Sequence, residues 1–199
     1  MKVKIIKECG YEEALYGLSL SFKDRSISFE DWWTEERKNK LHNLVKSQSK
    51  RDGGHNKFLE SINMWIELEA PRGFWQEYDT YRVGITKQSD STMHTIQNRP
   101  LTLDDFEHGT DQRLIDIFND ILKKETKDFT EKGMLIGDSL ERVKWNLPEG
   151  FLQNRVVCLN YKTLRNMFIQ RQKHKLNQWH IFIDAIRCQC KFPDLLPDA

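Results

Sequence analysis

LNYKTLRNMFIQRQKHKLNQW (159–179) is the stretch on which the fold turns. It follows RVVCL (155–159), whose β-branched residues suit a strand, so residue 160 stands at a strand-to-helix junction. Asn160 is a good N-cap there, at a helix start whose free N–H groups also attract phosphate. Leu164, Met167 and Phe168, then Leu176, Trp179, Ile183 and Ile186, follow the helical period, which predicts a helical section over 161–188. Arg171 comes seven residues after Leu164 and four after Met167. The helix therefore carries it along the apolar edge, where an unpartnered guanidinium is costly and an anion or carbonyl partner is expected.

Upstream, Val3–Ile6 predicts an opening strand and Glu12–Phe22 a helix, with Leu15, Leu18 and Phe22 at helical spacing. A second helix is expected from Ser28, its N-cap, through Trp32, Trp33, Leu41 and Leu44. SQSKRDGGHNK (47–57) breaks the chain at Gly53-Gly54. Ile62–Ala70 alternates apolar and polar residues as a half-buried strand does. APRG (70–73) then turns into a short aromatic helix over 74–81. That helix delivers YRVGITKQSDSTMHT (81–95), a polar run that reads either as an ordinary loop or as one built around an anionic ligand. Leu101–Asp138 is mostly helical, with Leu114, Ile117, Phe118 and Ile121 on one face. Strands at the beginning, middle and end with helices between them define an α/β or α+β class: one domain over 1–199, with a central mixed sheet flanked by helices. Trp65, Trp75 and Trp145 are expected in its core.

Composition narrows the function classes. Of 199 residues, 38% are hydrophobic and 31% charged, too aromatic for disorder and too polar for a membrane protein. The longest apolar runs fall far short of the roughly 20 residues that cross a bilayer. MKVKIIKECG has no signal-peptide core, so a soluble cytoplasmic domain is expected. A net charge of +1 supplies no global field for nucleic acid, so an anion site must be local. Cys9, Cys158, Cys188 and Cys190 lack the spacing of a secreted scaffold and read as reduced thiols. Cys188-Gln189-Cys190 has no matching histidine pair, and no metal site is read. His174 and His180, on one continuous helix, would diverge by about 240°. Phosphate-loop, dinucleotide and nucleophile-elbow motifs are absent. Asp104, Asp105 and Glu107 read as a helix N-terminus rather than a catalytic set.

Four separated segments do carry a common theme: basic and amide residues at the ends of regular elements. In GHNKFLES (54–61), His55 is followed five positions on by Glu60, ahead of a strand. In EYDTYRVGITKQSDSTMH (77–94), Thr86 and Ser91 keep a five-residue spacing after Arg82. GDSLERVKWNLP (137–148) contains Gly137, Glu141, Lys144, Leu147 and Pro148. In 159–179 come Asn160, Lys162, Leu164, Asn166, Arg171 and Gln178-Trp179. In order and in most spacings this resembles the flavin-dependent thymidylate synthases. That family has a histidine and glutamate before a strand, an R-H-R signature loop closing on S-x-R-Y, then G-x-x-x-E-x-x-R-x-x-L-P and N-x-R-x-L. Here lysine replaces arginine at 144 and 162, Thr80-Tyr81-Arg82 stands for R-H-R, and Met93-His94 for the final R-Y. The missing loop arginines imply other ligand contacts or another ligand, since each bidentate arginine–phosphate contact is worth about 1.5–3 kcal/mol.

The resemblance, a divergent and phage-type one, implies an enzyme working as a homotetramer with sites between subunits. Its reaction is reductive methylation of dUMP to dTMP, with FAD as cofactor and with NADPH and methylenetetrahydrofolate as co-substrates. Arg171 would be catalytic, polarising the pyrimidine carbonyl edge. Lys144, Ser91, Thr86 and Gln76 would help seat the nucleotide. His55, Arg82 and Asn160 would face the flavin, and Asn166 would support the base or flavin edge. Plainer readings stand beside these: Arg171 pairing with a neighbour, Asn160 as a cap alone, His55 as a turn residue, Thr86 and Ser91 as loop-closing hydroxyls. The altered loop keeps two alternatives open, hydroxymethylation of dUMP or dCMP and a non-catalytic nucleotide-binding protein.

Overall fold

Four strands, β1 (Lys2–Cys9), β2 (Asn63–Pro71), β3 (Ile85–Ser89) and β4 (Leu152–Asn160), form one sheet in the order β1-β2-β4-β3. The computed structural model describes residues 1–22, 26–127, 129 and 135–198. The sheet is antiparallel rather than mixed; β2 and β4 run in opposite directions, with Tyr161 N bonding Ile62 O at one end and Arg72 N bonding Phe151 O at the other. In β2 the alternation is strict. Met64, Ile66, Leu68 and Ala70 are fully buried, while Trp65 faces the other way and is exposed, against the expectation that it lies in the core. No helix among the described residues is long and apolar enough to cross a membrane.

By internal contacts the chain divides into two compact units, Met1–Lys2, Leu68–Thr80 and Gln88–Val156, and Val3–Glu67, Tyr81–Lys87 and Val157–Ala199. The first unit holds α4 (Arg72–Tyr78), α5 (Thr92–Thr95), α6 (Gln112–Glu125) and α7 (Gly137–Trp145). Its core includes Ile96, Phe106, Ile115, Phe118, Leu122 and Val143. The expected α6 face is off by one stripe: Ile115, Phe118 and Leu122 are buried, whereas Leu114 and Ile117 are 51% and 59% exposed. Both stripes are apolar and neighbours on the helix, so periodicity alone cannot choose between them. Ahead of α6, Leu103–Asp105 is a 3₁₀ turn with a Thr102–Asp105 capping box, and Arg99 grips Asp105 at 2.6 and 2.8 Å. That contact holds the Asp105 carboxyl below its ordinary range. Trp75 is buried as expected, with Arg155 stacked 4.2 Å from its ring and paired with Asp79. Trp145 is 78% exposed, contrary to expectation, because it lies on the outer side of α7 at its last residue. Of the helical section at 100–136, residues 128 and 130–134 lie outside those described.

The second unit holds α1 (Tyr11–Ser19), α2 (Phe29–Trp32), α3 (Glu35–Ser49), α8 (Tyr161–Arg171) and α9 (Asn177–Gln189). Three expected helices are shorter than predicted. The helix at 12–22 ends at Ser19, leaving Phe22 exposed. The one beginning at Ser28 breaks after Trp32, because Thr34 caps a new helix by accepting from Arg37 N, as Ser28 caps the first from Asp31 N. The section at 161–188 breaks between Arg171 and Asn177: His174 N bonds back to Arg171 O, and Leu176 N donates to His174 Nδ1. This break, unlike the expected continuous helix, brings His180 Nε2 to 2.8 Å from His174 O. The open edge of β1 is closed by Gln189, whose amide bonds Ile5 N and Val3 O, each at 3.0 Å.

Candidate functional site

Loop and helix start meet in the second unit. The 81–95 run is not a loop throughout, since Ile85–Ser89 forms edge strand β3, polar because an edge strand here needs no second apolar face. The loop proper is Tyr81–Gly84, and it is anchored to the start of α8. Asn160 caps that helix by accepting from Thr163 N at 2.9 Å, and the Thr163 hydroxyl donates to Val83 O at 2.9 Å. Gly84 completes the closure in a left-handed conformation, φ +68°; a Cβ there would lie 2.6 Å from Asn160 Nδ2 and 3.0 Å from Thr163 Oγ1. Only glycine fits both the backbone angle and the space.

Arg171 ends α8 and sits between two aromatic side chains. Its Nε donates to the Tyr81 hydroxyl at 2.8 Å, and its guanidinium carbon lies 4.8 Å from the Trp179 ring and 5.5 Å from that of Tyr81. Tyr81 in turn donates to Gln170 Oε1 at 3.0 Å and meets Trp179 edge to face. The Tyr81 phenol is thus one partner of Arg171, with the Tyr81 and Trp179 rings beside its guanidinium. Trp179 reaches it only because the chain breaks after Arg171. Tyr81 and Trp179 are the neighbours of Arg171 that motif matching undervalued, and their signal was the aromatic character of the 74–81 segment and of the Gln178-Trp179 pair.

A third segment joins the α8 start. Lys162 donates to Asn56 Oδ1, placing the residue after His55 against the first turn of α8. Asn56 is fully buried, and its Nδ2 has no hydrogen-bond partner among the described residues. An ammonium and an orphaned amide donor beside the first turn of α8 make a donor-rich corner. His55 itself is exposed on the turn, Arg82 is exposed at the head of the loop, Thr86 is exposed on β3, and Asn166 is exposed on α8.

Gln76, Ser91 and Lys144 belong to the first unit. Gln76 donates to Glu149 Oε2 at 3.0 Å. Ser91 precedes α5 without a side-chain cap, its carbonyl accepting from His94 N and from the Thr95 hydroxyl. Lys144 is half-buried in the last turn of α7. Thr80, where the resembled loop has arginine, has its hydroxyl engaged by Glu77 O at 2.7 Å. All four cysteines are free thiols; burial raises the Cys158 thiol and pushes Cys190 up to about 11, the opposite of an activated nucleophile. Among the described residues, no group of three or more His, Cys, Asp or Glu side chains is placed to hold a metal ion.

An antiparallel four-stranded sheet whose edge strand and helix start are joined by the 81–84 loop, with helices packed around it, defines an α/β protein. The chain belongs to the thymidylate synthase complementing protein (Thy1) family, whose model matches residues 13–198. No curated protein matches the sequence. In structure it is similar to flavin-dependent thymidylate synthase ThyX from Helicobacter pylori, solved as a complex with FAD and dUMP: TM-score 0.73 at 16% identity, covering 100% of this chain and 99% of that one. A second structure of the same enzyme with FAD and dUMP gives TM-score 0.73 at 15% identity, covering 100% and 98%.

Proposed function

We propose that the chain is a flavin-dependent thymidylate synthase, one domain over 1–199, which converts dUMP to dTMP with methylenetetrahydrofolate as carbon donor and NADPH as reductant. The observation that carries this reading is the joining of loop 81–84, residues 55–56 and the α8 start into one donor-rich cluster beside Arg171. The residues present fit a flavin nucleotide. The orphaned Asn56 Nδ2 and Lys162, beside the first turn of α8, suit its phosphates, with His55, Arg82, Asn160 and Asn166 as further contacts. When bound, FAD supplies the hydride chemistry, which no side chain here could perform.

The chain's own residues bind and polarise. Arg171 directs guanidinium N–H groups at the pyrimidine carbonyl edge and stabilises the charge that develops as the ring accepts hydride. Lys144, Ser91, Thr86 and Gln76 seat the nucleotide. We further propose a cytoplasmic homotetramer with sites between subunits. That arrangement lets side chains carried on separate elements serve a single nucleotide.

One observation favours a second reading. Thr80, which stands where the resembled loop has its first arginine, is engaged in closing α4 and carries no charge, so no guanidinium is available there. A different pyrimidine nucleotide or a hydroxymethyl product is consistent with that loss. Product analysis by mass, with dUMP and dCMP supplied in parallel, tests both. dTMP from dUMP is the expected result; a hydroxymethylated product would replace the first reading with the second.

A further inference from the structure

We propose that Tyr81 is a positioning residue whose hydroxyl fixes the plane in which Arg171 meets the pyrimidine; this rests on the substrate role given to Arg171 above. Arginine ends in a fork at the tip of a flexible stem, so an arginine at a helix end needs something to set its plane. Here the Nε–H bonds the Tyr81 hydroxyl at 2.8 Å, while the Trp179 ring lies 4.8 Å from the guanidinium carbon. The ring contact limits where the group lies, and the hydrogen bond to Tyr81 is directional and sets a rotation. The hydroxyl is itself directional: its proton goes to Gln170 Oε1 at 3.0 Å, which turns a lone pair toward Arg171. Donation to Gln170 also strengthens acceptance from Arg171, as hydrogen bonds in series do.

Anchoring Nε leaves the four Nη hydrogens in one defined plane, the geometry that charge stabilisation requires before reaction begins. Tyr81 stands at the centre of Thr80-Tyr81-Arg82, where the resembled loop has histidine. Its ring packs on Trp179 at 5.9 Å and 69°, independently of the hydroxyl. Tyr81→Phe therefore deletes the hydrogen bonds and keeps the packing.

The test uses the whole chain loaded with FAD and assayed with dUMP. Tyr81→Phe, Arg171→Lys and the double variant form a cycle, because lysine keeps the charge but has no planar fork for the Tyr81 hydroxyl to orient. Tyr81→Phe is expected to lower kcat on the order of tenfold, the scale of one hydrogen bond to a charged group. FAD retention and melting temperature should be unchanged, and the double variant should be no worse than Arg171→Lys alone. Gln170→Ala gives an independent reading that leaves Tyr81 in place: a kcat loss of roughly a fewfold, absent in the Tyr81→Phe background. Wild-type kcat in Tyr81→Phe, losses that multiply in the double variant, or a silent Gln170→Ala each overturn the role of Tyr81 alone. A wild-type protein that neither turns over dUMP nor melts higher in its presence instead removes the substrate reading, and the Tyr81 proposal with it.

Discussion

Gly84 offers the sharpest structural perturbation, because two separate costs meet at one Cβ. Substituting alanine places a side chain on a residue at φ +68°, which costs about 1–2 kcal/mol for the left-handed conformation. The new Cβ also lies 2.6 Å from Asn160 Nδ2. Asn160 can yield only by rotating its amide, which carries Oδ1 away from Thr163 N and weakens the α8 cap. Loss of such a cap costs about 1 kcal/mol. Together the two effects make Gly84→Ala roughly 2–3 kcal/mol less stable, a fall in melting temperature on the order of 5–10 °C for a chain of this length. Equilibrium urea unfolding and thermal melts read both quantities. Asn160→Ala separates the terms: it loses the cap by itself and also removes the group that Gly84→Ala would strike. The double variant should therefore be less stable than Asn160→Ala by only the backbone cost of about 1–2 kcal/mol. Gly84→Ala within about 0.5 kcal/mol of wild type, the range of an ordinary surface change, would refute the close approach of loop and helix. Strict additivity in the double variant would refute the coupling through Asn160.

Two further outcomes follow from the ionisable groups. Cys9 and Cys188 are exposed, while burial pushes the Cys190 thiol up to about 11. In the native protein, Ellman's reagent near neutral pH should titrate Cys9 and Cys188 first and Cys190 last; early labelling of Cys190, mapped by peptide mass, would contradict that burial. Asp105 is held below its ordinary value of 3.8 chiefly by its hydrogen bond from Arg99. A folded-state value that is depressed stabilises the protein above the ordinary value, and that stabilisation is lost as pH falls through the folded value. Stability measured from pH 5 downward should thus decline less steeply in Arg99→Leu than in wild type; parallel profiles would dismiss the pair as a contributor.

How much was legible follows from which residues had competitors. β2 was clear, because strict alternation over 62–70 admits one register and one buried face. The motif spacings also carried: the segments around His55, Arg82 and Asn160 do meet, through Lys162–Asn56 and Thr163–Val83. The α6 face was misjudged because two apolar stripes lie side by side there. The break at Trp33 hid because Thr34 looks like any helical threonine until its hydroxyl is seen to cap Arg37 N. β3 was invisible for the opposite reason, since an exposed edge strand shows no apolar period. The setting of Arg171 lay furthest from the sequence: it needs the helix break at 172–176, and no local signal announces that Trp179 turns back to meet Tyr81.

The central claim is that this loop cluster holds a flavin nucleotide. The visible absorption spectrum of the purified protein, recorded after FAD is added and unbound ligand is removed by gel filtration, tests it most directly. The account predicts a flavin band that travels with the protein and is lost when Asn56 and Lys162 are both replaced by alanine in a variant that still folds. A colourless wild-type protein after the same treatment would contradict it.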